Sequence, residues 1–308
     1  MKLRVPEALP AHPQHKALMT PRRSILPCLA LALDCERGTE QLMRNALLLG
    51  GALAMLAAPH AGHAQEVFHS TQSANLPTAE TLRAGNWMFE ISHRFQPIST
   101  GSTGLWGLDG PINNRLGLSF APTDRVVLGI LRTNFEDNLE LNAKGTFFEA
   151  GNESVLLKVG ALGGVAWNTG AVVTEGAEDN EAQYYGQLIA NVLLGGQVAV
   201  GVVPTYLHNP RIRDVNSESA FVLGLHAQTW LSRSISVIGE WIISEQRVDM
   251  ETDSGTLGFE IETRGHFFKL VVTNQDRMNP TQVLGGTPTS FSGDDLRLGF
   301  NITRLLPF

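Results

Sequence analysis

From residue 86 onward, apolar and polar positions take turns. Trp87, Phe89 and Ile91 alternate with Met88, Glu90 and Ser92 at one end of this region. At the other, Leu296, Leu298, Phe300 and Ile302 alternate with Arg297, Gly299, Asn301 and Thr303. A period of two marks a strand with one apolar and one polar face. Ten further segments show the same habit, at 112–120, 126–133, 138–148, 154–167, 184–194, 198–208, 220–231, 235–245, 257–263 and 266–275. About twelve strands are therefore predicted. Most have roughly the 9 to 11 residues that a tilted strand needs to cross a bilayer.

The connections alternate as well. Pro122-Thr123-Asp124, Ala150-Gly151-Asn152, Gly195-Gly196-Gln197, Ser232-Arg233-Ser234 and Arg264-Gly265 are short and turn-like. Between them lie longer polar stretches at 96–111, 170–183, 209–219, 246–256 and 276–295, and only 134–137 is short where a long one is due. This rhythm predicts an all-β fold, a transmembrane antiparallel up-and-down β-barrel of about twelve strands. Lipid offers no hydrogen-bond partners, so the sheet must close and the first strand must pair with the last. The second face carries Glu90, Arg94, Arg115, Glu140, Lys144, Lys158, Glu240, Glu260, Lys269 and Arg297. A soluble sandwich also tolerates charges on its solvated face, but it does not sustain the short–long loop rhythm. Aromatics gather near strand ends (Trp87, Phe147-Phe148, Trp167, Tyr184-Tyr185, Tyr206, Trp230 and Phe267-Phe268), as interfacial girdles would place them.

Charge and cysteine content narrow the picture. The chain of 308 residues has a net charge of −7, and no apolar run reaches the roughly 18 to 20 residues of a membrane helix. Seven of the 23 basic and four of the 30 acidic residues precede Gln65, which leaves 16 against 26 and a net −10 for the rest. Such an acidic body argues against nucleic acid, whose binding rests on neutralising phosphates. Both cysteines, Cys28 and Cys35, lie in the early segment, so the remainder has no disulfide or thiolate site.

That early segment carries an export signal. Met43-Arg44-Asn45 leads into the 13 apolar residues 46–58, followed by Pro59 and the small-x-small site Gly62-x-Ala64. Residues 43–64 are read as a cleavable signal peptide, with maturation at Gln65. Residues 1–42 are irregular and read as a gene-model extension or a disordered stretch. Residues 65–85 show no sustained period and read as a periplasmic lead-in, and 86–308 as the outer-membrane barrel.

The most distinctive stretch joins His93-Arg94-Phe95, Gly107-Leu108-Asp109 and Arg115-Leu116-Gly117-Leu118. Here the chain resembles a family of bacterial outer-membrane β-barrels known only as a domain of unknown function. The resemblance covers about 76–308 and implies a barrel, with no activity and no catalytic residues. The residues themselves suggest that Arg94 and Arg115 point into the lumen and pair with Asp109 on an inward-folded first loop. The closing strand, ending on Phe308, also resembles the last strand of bacterial outer-membrane barrels. That likeness implies an assembly signal carried by Phe300, Ile302 and Phe308. Pro307 has no ladder N–H and Arg304 interrupts the apolar face, so the strand is expected over 296–303 with 304–308 as a recognition tail.

Other chemistry is sparse. His69, His93, His208, His226 and His266 lack metal-ligand spacing, and no cofactor or metal site is expected. Acidic clusters at Glu175, Glu178, Asp179 and Glu181, and at Asp249, Glu251 and Asp253, suit solvated loops better than calcium sites. No G-x-S-x-G or assigned base points to an enzyme. The expected partners are outer-membrane lipid, lipopolysaccharide and the barrel-assembly machinery. The expected function is a pore or channel for small polar solutes; the alternative is a non-conducting structural or interaction barrel presenting acidic external loops.

Overall fold

A computed structural model describes residues 66–152, 154–170, 182–210, 219–244 and 252–306. The proposed extension and signal peptide, Phe308, and all the acidic loop residues named above except Asp253 lie outside these. Twelve strands form: β1 (Trp87–Pro97), β2 (Asn113–Thr123), β3 (Val126–Thr133), β4 (Asn138–Gly151), β5 (Val155–Asn168) and β6 (Ala182–Leu194) come first. They are followed by β7 (Val198–His208), β8 (Ser219–Ser232), β9 (Ile235–Ser244), β10 (Ser254–Thr263), β11 (His266–Thr273) and β12 (Arg297–Leu306). Each pairs antiparallel with its sequence neighbours, and β1 closes on β12. The predicted up-and-down barrel is borne out.

Alternation fixes which face goes where. Phe89, Leu116, Leu128, Ile130, Leu141, Leu188, Val200, Leu223, Leu257 and Leu270 lie exposed on the outside, while the intervening residues are buried inside. A one-residue slip in register would swap the two sets, so each strand is locked to its neighbour by burial as well as by hydrogen bonds. Short connections make one rim and long ones the other. At the turn rim, Arg264 and Gly265 both take positive φ (42° and 89°), the geometry of a two-residue hairpin whose twist matches the strands. At the loop rim, 134–137 is tight as predicted and contains a 3₁₀ turn, Phe135–Asp137.

Three details depart from the sequence reading. Pairing in β12 does not stop at Thr303: it runs to Leu306, opposite Trp87. Arg304 takes an outward position opposite Phe89 at the turn rim, where it is exposed and its charge costs nothing to the ladder. Tyr185 and Phe267 are buried in the interior instead of joining an aromatic girdle. Tyr184, by contrast, stacks on His208 at 4.3 Å between ring centroids, and Trp87 meets Phe120 at 4.7 Å. Pro204 sits within β7, where the ladder to β6 skips from Gln187↔Thr205 to Ala190↔Val202 for want of its N–H.

The largest departure concerns the expected lead-in. Residues 67–82 of the segment 66–84 are packed inside the barrel, with Val67, Phe68, Ala74, Leu76 and Ala79 all buried to 1 % exposure or less. Twelve strands enclose a lumen wider than their own side chains fill. A segment with no period of its own, but with a backbone donor or acceptor at almost every position, meets a wall that is largely polar, with apolar patches on the β5–β9 side.

Candidate functional site

The inner wall is where charge collects. All ten charged residues predicted on the second strand face are buried in the lumen. Some satisfy one another. Arg115 pairs with Glu90, which also accepts from Ser92 Oγ at 2.5 Å. Lys269 lies 3.1 Å from Glu260. Glu140 accepts from the Tyr185 hydroxyl at 2.7 Å and from Asn142 Nδ2 at 3.2 Å. A buried charge is tolerated only when paired and hydrogen-bonded, and the wall alone does not supply enough partners.

The N-terminal segment supplies the rest. Its residues 73–76 form a turn closed by Ser73 N–H to Leu76 O at 2.8 Å. The N–H groups of Ala74, Asn75 and Leu76 then converge on the Glu240 carboxylate at 2.7, 2.9 and 2.9 Å. Consecutive amides pointing at one anion make a backbone nest. Asn75 adds its Nδ2 to Glu240 at 3.0 Å and receives Arg94 on its Oδ1 at 2.9 Å, bridging the two wall charges. Lys144 donates to the carbonyls of Thr71 (2.6 Å) and Thr78 (3.1 Å). Lys269 donates to the Gln72 carbonyl at 2.7 Å, and Lys158 to Glu80 at 2.8 Å. His69 Nδ1 stands 3.0 Å from Glu260.

Apolar contacts hold the same segment from other directions. Phe68 stacks on His226 with ring centroids 4.6 Å apart and planes 8° from parallel. Leu76 and Ala79 join Ile189, Val203, Leu207 and Ile242 in one cluster on the β5–β9 side. Gly224 makes room for Leu76, since a Cβ there would come within 2.6 Å of its methyl group.

The last connection, 274–296, enters from the loop rim. It carries a short helix, α1 (Pro280–Val283). Its contacts to the wall are mostly amides and hydroxyls. Thr281 N–H and Oγ1 both reach Glu140 at 3.3 Å. Gln282 donates to the Phe135 carbonyl at 2.9 Å and accepts from Thr133 Oγ1 at 3.1 Å, and Asn279 donates to Asn138. Val283 and Leu284 meet Leu76 in the apolar cluster. Between the two inserts remains a cavity of about 60 Å³, lined by Gln72, Asn75, Glu90, Asn142, Lys144 and Pro280 among others. That is room for on the order of four waters.

The predicted site residues separate into groups. Arg94 and Arg115 do enter the lumen and are 1 % exposed, yet neither meets Asp109. Arg94 is held by Asn301 Oδ1 at 2.8 Å and by Asn75, and Arg115 by Glu90 and the Met278 carbonyl. Asp109 is exposed on the first loop, which stays at the rim. The loop that folds inward is the last one. Phe300 and Ile302 face outward on β12, with Phe300 4.6 Å from the His93 ring. Sequence reasoning missed Asn75, Glu80 and Met278. One signal pointed there: 66–82 contains no Lys or Arg, whereas the inward strand positions hold six basic and four acidic residues.

The chain superposes on an outer membrane channel from Pseudomonas putida F1 with a TM-score of 0.48 and 13 % identity, covering 74 % of this chain and 98 % of that one. For the NanC porin the TM-score is 0.44 with 6 % identity, over 71 % of this chain and 99 % of the other. For outer membrane phospholipase A from Escherichia coli it is 0.38 with 14 % identity, over 72 % and 90 %. Among curated proteins, none matches. The profile of a membrane-bound β-barrel domain, DUF5777, matches residues 68–306, beginning within the luminal segment and not at the first strand. The chain therefore belongs to the DUF5777 family of membrane-bound β-barrels, and the barrel with its N-terminal insert forms one domain of that family.

Proposed function

We propose that this outer-membrane barrel, its lumen filled by 66–84 and 274–296, is a channel for small polar solutes. One observation carries the reading. Much of the inner wall is charged and polar, as a water-filled passage requires, and the space it encloses is filled by two segments outside the barrel strands. A barrel built only for structure has no need of ten buried charges, some of which depend on an insert, since apolar packing serves as well or better. The turn rim faces the periplasm in this reading, so the insert enters from the side on which the chain begins. Conductance in planar bilayers tests it: steady openings are expected, and persistent silence of correctly folded protein would sink it. The occupied lumen favours one second reading, a non-conducting interaction barrel, which predicts that silence.

No catalytic role is included. His208 Nδ1 lies 3.3 Å from Ser219 Oγ on the outer face, but that hydroxyl is shared with Tyr206 at 2.7 Å. Among the described residues no carboxylate or amide orients this imidazole, as a serine nucleophile's base requires. The proposal also includes export through residues 43–64 with maturation at Gln65, which intact mass of the purified protein tests. A chain beginning before residue 43 would refute that start. The assembly machinery is proposed to read Phe300, Ile302 and Phe308, and lipopolysaccharide to meet the external loops. Normal membrane yield of a Phe308 deletion would defeat the first of these.

A further inference from the structure

The partners of each wall charge divide unequally between wall and insert. Three of the four wall carboxylates keep a wall partner whatever the insert does: Glu90 has Arg115 and Ser92, Glu260 has Lys269 and Gln228 at 2.8 Å, and Glu140 has Tyr185 and Asn142. Among the described residues only Glu240 is satisfied wholly by the insert, through the nest at 74–76 and Asn75. Of the six wall cations, Arg115 and Lys269 keep these wall carboxylates, whereas Lys144 and Lys158 depend on the insert. Both oxygens bound by Lys144 belong to the insert. Lys158 is neutralised by Glu80 of the insert, with wall residue Glu149 at 4.0 Å. Arg94 has no carboxylate; it rests on Asn75, Asn301 and main-chain carbonyls.

Withdrawing 66–84 would thus strip two cations, Lys144 and Lys158, and one carboxylate of their close partners, while Arg94 keeps Asn301 and main-chain carbonyls of the wall. We infer that the open lumen selects small anions, with Lys144 and Lys158 as the residues that draw them. The insert's own carboxylate, Glu80, and the carbonyls of Thr71 and Thr78 occupy the places such solutes would take. Low-dielectric walls lined by one sign of unpaired charge concentrate counter-ions of the other sign, and here the exposed excess is positive although the whole chain is acidic. This assignment rests on the channel reading above.

The test is reversal potential under a potassium chloride gradient in planar bilayers. It uses the full mature chain, and a Leu76→Asn variant that unseats the insert without altering any charge. Heat-modifiable migration reports barrel folding in each, and moderate urea on the unaltered chain offers a second way to free the insert. The expected result is openings with a several-fold preference for chloride over potassium, falling towards unity in Lys144→Gln/Lys158→Gln. Openings that prefer potassium, prefer neither ion, or keep their chloride preference in the double lysine variant would overturn the anion assignment and leave the channel standing. Silence of folded protein under all three conditions would overturn the channel reading, and the anion assignment with it.

Discussion

The two segments that share the lumen are held by different chemistry. The N-terminal insert, 66–84, is bound through charge: a carboxylate in a backbone nest, an ion pair between Lys158 and Glu80, and ammonium groups on its carbonyls. The last loop, 274–296, is bound mainly through neutral groups, Asn138, Asn279, Gln282 and Thr133, with fewer charged contacts: Thr281 to Glu140, one carbonyl given to Arg115, and Asp276 3.9 Å from Arg297. Neutral hydrogen bonds contribute about 0.5–1.5 kcal/mol each, while those to charged groups contribute about 1.5–3. The difference is sharper on loss than on formation, because a stranded buried charge costs far more than a stranded amide. An insert bound by charge is therefore held firmly in one register and released nearly all at once. A loop bound by amides yields in small steps.

Glu240→Ala should break the comparison open most widely. It removes the acceptor of four donors at once, and the docking of 66–84 should weaken by about 3–5 kcal/mol. A thiol placed by Ser73→Cys, at a buried hydroxyl with no partner among the described residues, reports this directly. Labelling by a membrane-impermeant maleimide should be slow in the otherwise unaltered chain and fast with Glu240→Ala. Protease resistance of the last loop should change far less. Equal loosening of both inserts would mean that they move as one body.

Lys158 and Glu80 sharpen the same contrast at the next level. Lys158→Met strands the Glu80 carboxylate among the Val67 and Phe68 amides and should cost about 3 kcal/mol. Pairing it with Glu80→Met should recover most of that, because removing both charges also removes both desolvation penalties. The measurement is a double-mutant cycle on the urea midpoint for thiol exposure at position 73, with an expected coupling of about 2 kcal/mol. Additive effects would show that the pair is not coupled in the membrane. For the loop, Asn138→Ala removes bonds to Asn279, Thr281 and Asn168. It should loosen 274–296 by about 1–2 kcal/mol, seen as faster limited proteolysis there and unchanged labelling at 73.

How much of this was readable beforehand depends on the period. Strand positions were legible because burial on one face forces an alternation of two, and β3 and β7 fall at 126–133 and 198–208 as predicted. The inward charges were legible for the same reason. The occupant of the lumen was not. Residues 66–84 are irregular, and about half of their bonds to the wall run through main-chain N–H and C=O groups that every residue possesses. Side-chain identity says nothing about that half, and the other half, from His69, Ser70, Gln72, Asn75 and Glu80, follows no period; the lack of any basic residue in 66–82 is the one compositional signal. The Arg94–Asp109 pairing failed on similar ground. Opposite charges on neighbouring segments suggest a pair, but loop trajectory is set by backbone turns that hydropathy does not record.

That trajectory makes Asp109→Ala the quietest of these substitutions. The first loop is shaped by its main chain: Trp106 N–H meets Gly101 O at 2.7 Å, Asp109 N–H meets Gly104 O at 3.2 Å, and Gln96 Nε2 donates to Pro111 O at 2.5 Å. Gly107, at φ 91°, packs so closely that a Cβ would lie 2.0 Å from the Gln96 carbonyl. The Asp109 carboxylate takes part in none of these bonds and is exposed. Its removal should shift loop stability by less than about 0.5 kcal/mol and leave conductance, labelling at 73 and proteolysis of 274–296 unchanged. A conductance change would place Asp109 within reach of Arg94 or Arg115 after all. In that case the first loop, and not only the last, would fold into the lumen of the membrane-embedded barrel.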